Sequence, residues 1–164
     1  MNAGPVLGVD IGNSGALALV GPGGTLIGVE DMPTLQDGPA GRPTICSPLL
    51  AEIVRRRSPT AAYVEHVGVM PHDGRQGAFA FGRARGTIEG VLGALAIPPT
   101  TWLTVPTWRR AVGLPPSASK DMARSEAIRR WPAQAALFAR ARDDGRAEAA
   151  LIAVAGLKRE GATP

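Results

Sequence analysis

Four acidic residues from separated parts of the chain have the character of a divalent-cation site. Asp10 ends the apolar run Val6 to Asp10 and is followed by Ile11-Gly12-Asn13-Ser14-Gly15. Glu65 ends a second apolar run, Ala61 to Glu65, just ahead of His66. If these runs are adjacent parallel strands, both carboxylates reach one sheet edge, and sites in open α/β sheets form at the carboxyl ends of strands. Taken singly, each acid is equally well explained as the start of a solvated loop. Further on, Asp144 and Glu148 stand four apart and share one face of a helix. Leu151 and Ala155 continue that stripe, so Glu148 belongs on or beside the face that packs on the sheet. A carboxylate there is costly unless something compensates it. A divalent cation shared with Asp10 and Glu65 is the simplest compensation. Asp143 and Asp144 also stand where a helix N-cap belongs, an alternative that weighs more for Asp143.

Carboxylates without histidine or thiolate make a hard-oxygen site, suited to Mg²⁺ with Mn²⁺ as a substitute. Two such ions can activate a water and stabilise the leaving oxygen of a phosphodiester. That chemistry needs acids from several separated segments. A serine-histidine hydrolase is disfavoured, because the only histidines are His66 and His72 and no nucleophile-elbow motif occurs.

The elements that must position these acids can be read from the apolar pattern. Val6 to Asp10 and Ala16 to Val20 are strands, Gly21-Pro22-Gly23-Gly24 is a turn, and Thr25 to Val29 is a third strand. Ser47-Pro48 reads as a cap and first-turn proline for a helix reaching Arg55-Arg56-Arg57. Ala61 to Glu65 is the fourth strand. A glycine-rich loop, Gly68 to Gly77, leads into a long helix ending near Leu95, and Trp102 to Val105 is the fifth strand. Ser119 caps a helix that Pro132 stops after Trp131, and a last helix runs from Asp143-Asp144 to about Leu157. The order β-β-β-α-β-α-β-α-α predicts an α/β fold. Its mixed five-stranded sheet would combine a three-stranded antiparallel meander with parallel strands and carry helices on both faces.

The 164 residues fit one domain spanning residues 1–164, with 45% hydrophobic and 20% charged residues. No apolar run reaches the roughly 18–20 residues of a membrane span. The first residues lack a basic stretch followed by an apolar one, so a cytoplasmic location is expected. Cys46 is the only cysteine and reads as a lone reduced thiol. A net charge of +4 and a pI near 10.2 suit a polyanionic partner such as nucleic acid.

Five segments, in order, resemble RuvC-type Holliday-junction resolvases of the RNase H-like superfamily, with the phage and prophage branch the nearest in appearance. Val6-Leu-Gly-Val-Asp10-Ile-Gly-Asn-Ser-Gly15 resembles the first strand of that family, and Tyr63-Val-Glu65 its second acidic strand. Gly82-Arg-Ala-Arg-Gly86 resembles the turn of the long helix that follows. Val105-Pro-Thr-Trp-Arg-Arg-Ala-Val-Gly113 with Ser119-Lys120-Asp121 resembles the basic region, and Arg146-Ala-Glu148 the acidic last helix. The resemblance implies a homodimer that makes paired nicks in branched DNA, with two Mg²⁺ ions per site. It places metal ligands at Asp10, Glu65 and Glu148, plus one acid from Asp143 or Asp144. It places DNA contacts at Ser14, Arg83, Arg85, Arg109, Arg110 and Lys120, with Arg109 and Lys120 nearest the scissile phosphate. A partner helicase is not legible.

The chain departs from the family pattern at two points. Gly145 stands three before Glu148, where an acid or histidine is expected, so Asp144 or Asp143 must substitute. The aromatic expected after Glu65 is absent at Gly68, leaving Val69, Met70, Phe79 or Phe81 to wedge a junction. For Phe81, ordinary helix packing is the better reading.

Arg124 joins the basic cluster expected to border the acids. Arg55-Arg56-Arg57 is better explained by the helix dipole, and Trp102, Trp108 and Trp131 by packing or dimer contacts. Three alternatives remain open. One is an RNase H-fold nuclease acting on RNA–DNA hybrid or flap DNA. Another is an actin-like phosphotransferase, whose first phosphate motif Asp10-Ile-Gly-Asn13 also resembles. The third is a junction-binding protein without catalysis.

Overall fold

The computed structural model describes residues 4–68, 74–97, 100–159 and 161. Val69, Met70 and His72 lie outside them. Strands β1 (Val6–Asp10), β2 (Ala16–Val20) and β3 (Leu26–Asp31) form the antiparallel meander. A small hairpin follows, β4 (Thr34–Leu35) with β5 (Thr44–Ile45), and then helix α1 (Ser47–Arg57). Strand β6 (Ala61–His66) leads by way of α2 (Arg75–Ala94) to β7 (Thr100–Thr104). Helices α3 (Val105–Ala111), α4 (Lys120–Arg130) and α5 (Asp144–Arg159) complete the order. The sheet runs β3-β2-β1-β6-β7, with β6 parallel to both β1 and β7.

The period-two alternation of the strands divides the core into two layers. Leu7, Val9, Leu17, Leu19, Ala62 and Val64 face α1 and α2. Val6, Ala16, Ala18, Tyr63 and Leu103 face α3, α4 and α5. Helices therefore cover both faces, as expected. Asp10 and Glu65 share strand parity with Val6 and Tyr63, so both acids fall on the α5 side.

Helix α5 departs from the simple amphipathic expectation. From Ala147 to Leu157 it is buried on every face, covered by the sheet below and by α3 and α4 above. A helix that is apolar all round belongs inside a protein. Small residues let it lie very close to the sheet. A Cβ at Gly8 would sit 2.0 Å from the Ala149 carbonyl oxygen, and one at Gly156 would sit 2.1 Å from the Tyr63 ring. Glycine at position 8 is thus what allows α5, and Glu148 with it, to descend onto β1.

Three local features escape the pattern reading. The hairpin strands of two residues each are too short to show a period. Val105-Pro-Thr-Trp is helix rather than the end of a strand, with Pro106 in the first turn, where its fixed φ is favourable. Ser47 is the first helical residue instead of the cap, which is Cys46. Ser119 does cap α4, its hydroxyl accepting from the Met122 amide at 3.2 Å. Among the described residues, no helix is long and apolar enough to cross a membrane.

Candidate active site

Parallel pairing sets the first two acids side by side. Val9 of β1 is in register with Val64 of β6, so Asp10 and Glu65 are the next residues on neighbouring strands. Glu148 reaches them from the first turns of α5. One carboxylate oxygen from each of the three lies within 4.8 Å of the others. Glu65 and Glu148 are buried.

Three carboxylates this close repel one another, and neighbouring acid charge raises both Asp10 and Glu148. Asp10 is held well above the ordinary carboxyl range, first by burial, then by the charges of Glu65, Glu148 and Asp144. Glu148 is pushed up to about 7, again first by burial and then by Glu65. Glu65 is raised by burial, against the opposing pull of hydrogen bonds from Trp108 and Asp10. The hydrogen bond between the Asp10 and Glu65 side chains raises the first and lowers the second.

The surrounding groups fix the acids in place. Trp108, fully buried, donates its indole N–H to Glu65 Oε1 at 3.0 Å. Arg109 stands 3.7 Å from Glu148, stacks over the Trp108 ring and donates to the Pro116 carbonyl. Lys120 pairs with Asp144, and that contact raises the lysine pKa. Trp108 packs in the core, as expected, and its bond to Glu65 is a further role that the sequence does not show. Pro106 two residues earlier was the available signal, because it starts the helix that aims the indole at Glu65.

Asp143 and Asp144 separate cleanly. Asp143 accepts from the Arg140 amide at 2.9 Å and from its guanidinium at 2.7 Å, and the guanidinium holds its carboxyl below the usual range. It closes a capping box with Arg140 and is not among the three acids whose oxygens converge. Asp144 borders the cluster, near enough for its charge to act on Asp10 and Glu148. Gly145 has a steric reason. A Cβ there would stand 2.8 Å from the Ser14 carbonyl oxygen and 3.0 Å from Asp10 Oδ2. An acid at position 145 would intrude on the loop after β1.

The donor set fits a hard divalent ion. Asp10, Glu65 and Glu148 supply only carboxylate oxygens, and Asp144 adds a fourth acid at the border, while the cations paired with the group are Arg109 and Lys120. The excess negative charge is of the kind such an ion removes.

No protein family and no curated protein matches the chain. Solved structures do. The structure is similar to that of Thermus thermophilus RuvC, with a TM-score of 0.69 and 21% identity over 96% of this chain and 97% of that one. It is also similar to T. thermophilus RuvC in complex with a Holliday junction substrate, with a TM-score of 0.65 and 22% identity over the same shares. The chain has the RuvC fold. The likeness is one of architecture, the RNase H-like mixed sheet with helices on both sides.

The expected DNA-contacting residues divide on inspection. Arg109 and Lys120 stand at the acids. Ser14 is exposed in the loop after Asp10, and Arg110 is exposed on α3. Arg83 is exposed on α2. Arg85 stacks 4.4 Å over Trp102 and pairs with Glu89, on the side of the sheet opposite the acids. Arg124 donates to the carbonyls of Phe138 and Ala139 and pairs with Asp121, so its work is to anchor the segment before α5. Arg56 and Arg57 bind Glu30. Phe81 packs against the core, as expected, whereas Phe79 is 72% exposed.

The crowded acids set a pH dependence. Glu148 titrates near 7 in the folded protein against 4.5 in an unfolded chain. Between those values the folded state binds more protons than the unfolded state, so stability falls as pH rises. Asp10 and Glu65 act in the same direction. In EDTA, Tm is expected to fall by at least about 3 °C between pH 5 and pH 8. Mg²⁺ should restore more of it at pH 8 than at pH 5. A thermal melt series checks this, and a Tm that rises across that window in EDTA contradicts it.

Proposed function

We propose that this chain is a metal-dependent endonuclease of the RuvC type, one domain that resolves four-way DNA junctions by paired nicks. The observation that carries the reading is the convergence of Asp10, Glu65 and Glu148 from β1, β6 and α5. These three would hold Mg²⁺, with Asp144 as the fourth acid at the border. Bound there, divalent ions supply an activated water and stabilise the leaving oxygen of the phosphodiester.

The chain's own groups do the rest. The Trp108 indole fixes the Glu65 carboxylate, and Arg109 holds the edge of Glu148. Arg109 lies against Glu148 and the Trp108 ring, and would bring positive charge to a backbone phosphate at the acids. With Lys120 it offsets the repulsion between an acidic pocket and DNA. The carboxylate donor set favours this reading over the phosphotransferase alternative, which predicts ATP turnover. Competition among junction, RNA–DNA hybrid and duplex separates it from other nucleases of the fold.

A homodimer is supported by the outer face of α2. Gly82, Gly86, Gly90 and Gly93 are all exposed there, with open space where a Cβ would stand. Glycine inside a helix costs about 1 kcal/mol relative to alanine, so four of them need a reason. Close approach of the same helix from a second copy supplies one.

Asp10→Asn and Glu148→Gln should each abolish Mg²⁺-dependent nicking of a synthetic junction while leaving binding intact. Trp108→Phe should slow cleavage by about 10–100-fold, the usual effect of losing a group that orients a ligand. Unchanged nicking by Asp10→Asn would refute the assignment. For the dimer, Gly86→Leu should give a monomer in sedimentation velocity where the wild-type chain sediments as a dimer. Identical sedimentation of the two proteins would remove α2 from the interface.

A further inference from the structure

A second concavity lies between the β4–β5 hairpin and the side of α2. It is a cavity of about 410 Å³, within the range of sites that enclose small organic groups. Its floor is apolar, made by Ile45 and by Ala80 and Ala84 of α2. Three arginines, Arg42, Arg75 and Arg83, stand around it. Arg42 is steadied by Gln76 at 3.1 Å, while Arg75 and Arg83 have no ion pair among the described residues. The exposed Phe79 ring completes the lining. One wall is Asn13, three residues after Asp10, whose side-chain amide donates to the Pro43 carbonyl at 2.6 Å. That bond ties the loop following Asp10 to the hairpin, so the cavity and the carboxylates share a loop.

We infer that this cavity takes one unstacked nucleotide of the bound DNA, its base on the apolar floor beside Phe79 and its phosphates on the arginines. An apolar slot suits the face of a base, an exposed aromatic ring suits stacking, and unpaired guanidinium groups suit the flanking phosphates. A base costs least to extract where stacking is already broken, as at a crossover point. The inference rests on the nuclease reading. It adds to that reading a reason for the protein to engage the nucleotides at the crossover, because only there is a base readily available.

The test is a scan of abasic substitutions through the nucleotides flanking the crossover of a synthetic junction. Binding of the full chain is followed by anisotropy in EDTA. Ala80→Trp fills the cavity from an exposed helix position and leaves the carboxylates untouched. The wild-type chain should lose about tenfold in affinity at one abasic position. Ala80→Trp should bind intact DNA about tenfold more weakly and be indifferent to that same position. A 2-aminopurine placed there should brighten when the wild-type chain binds, a readout that needs no variant. A flat scan, or equal abasic losses in both proteins, overturns the inference, while Mg²⁺-dependent nicking of the same junction keeps the nuclease reading alive. A flat scan accompanied by saturable binding of a free deoxynucleoside monophosphate, lost in Ala80→Trp, also overturns it and assigns the cavity to a free nucleotide. Absence of any junction preference overturns both.

Discussion

Three carboxylates are pressed together on one face of a sheet, and the rest of the molecule must tolerate their repulsion. Asp10, Glu65 and Glu148 bring oxygens within 4.8 Å of one another, largely out of water. A fold does not concentrate like charge by accident of packing, because each buried anion carries a desolvation cost. The supports around them follow from that constraint. Trp108 fixes Glu65, Arg109 lies against Glu148, and Lys120 engages Asp144. Crowding also explains why burial and neighbouring charge drive Asp10 and Glu148 upward together.

The close seat of α5 makes the crowding possible. Glu148 can reach the strand ends only because the helix backbone rests on Gly8, with no side chain between. Gly145 repeats the device one turn earlier, clearing space for the loop after β1. The same closeness decides between the neighbouring acids. Asp143 turns to Arg140 and closes the segment that leads into α5, while Asp144 faces Lys120 at the border of the cluster.

Much of this was legible in the residues. Apolar runs bounded by turn signals located β1 and β2 to the residue. The carboxylate ending each of two such runs located Asp10 and Glu65. Glu148 was found because a charge beside a packing face demands a reason. The rest depended on tertiary context. Strands of two residues carry no period, and α3 hid within a segment whose proline was the sole signal of a helix start. No pattern in the sequence tells that Trp108 donates to Glu65, because the indole is satisfied forty-three residues away. Nor does the sequence tell that Arg85, a DNA contact by resemblance, stacks on Trp102, or that Arg124, expected to border the acids, is bonded to backbone carbonyls. The cavity beside α2 is built from residues that share no motif.

The central claim is that the three acids together bind a divalent cation. A crystal of the full chain soaked in Mn²⁺ tests it through anomalous scattering. The account predicts an anomalous peak in direct contact with carboxylate oxygens of Asp10, Glu65 and Glu148. A saturated soak with no peak among them, or one only at surface acids elsewhere, would contradict it.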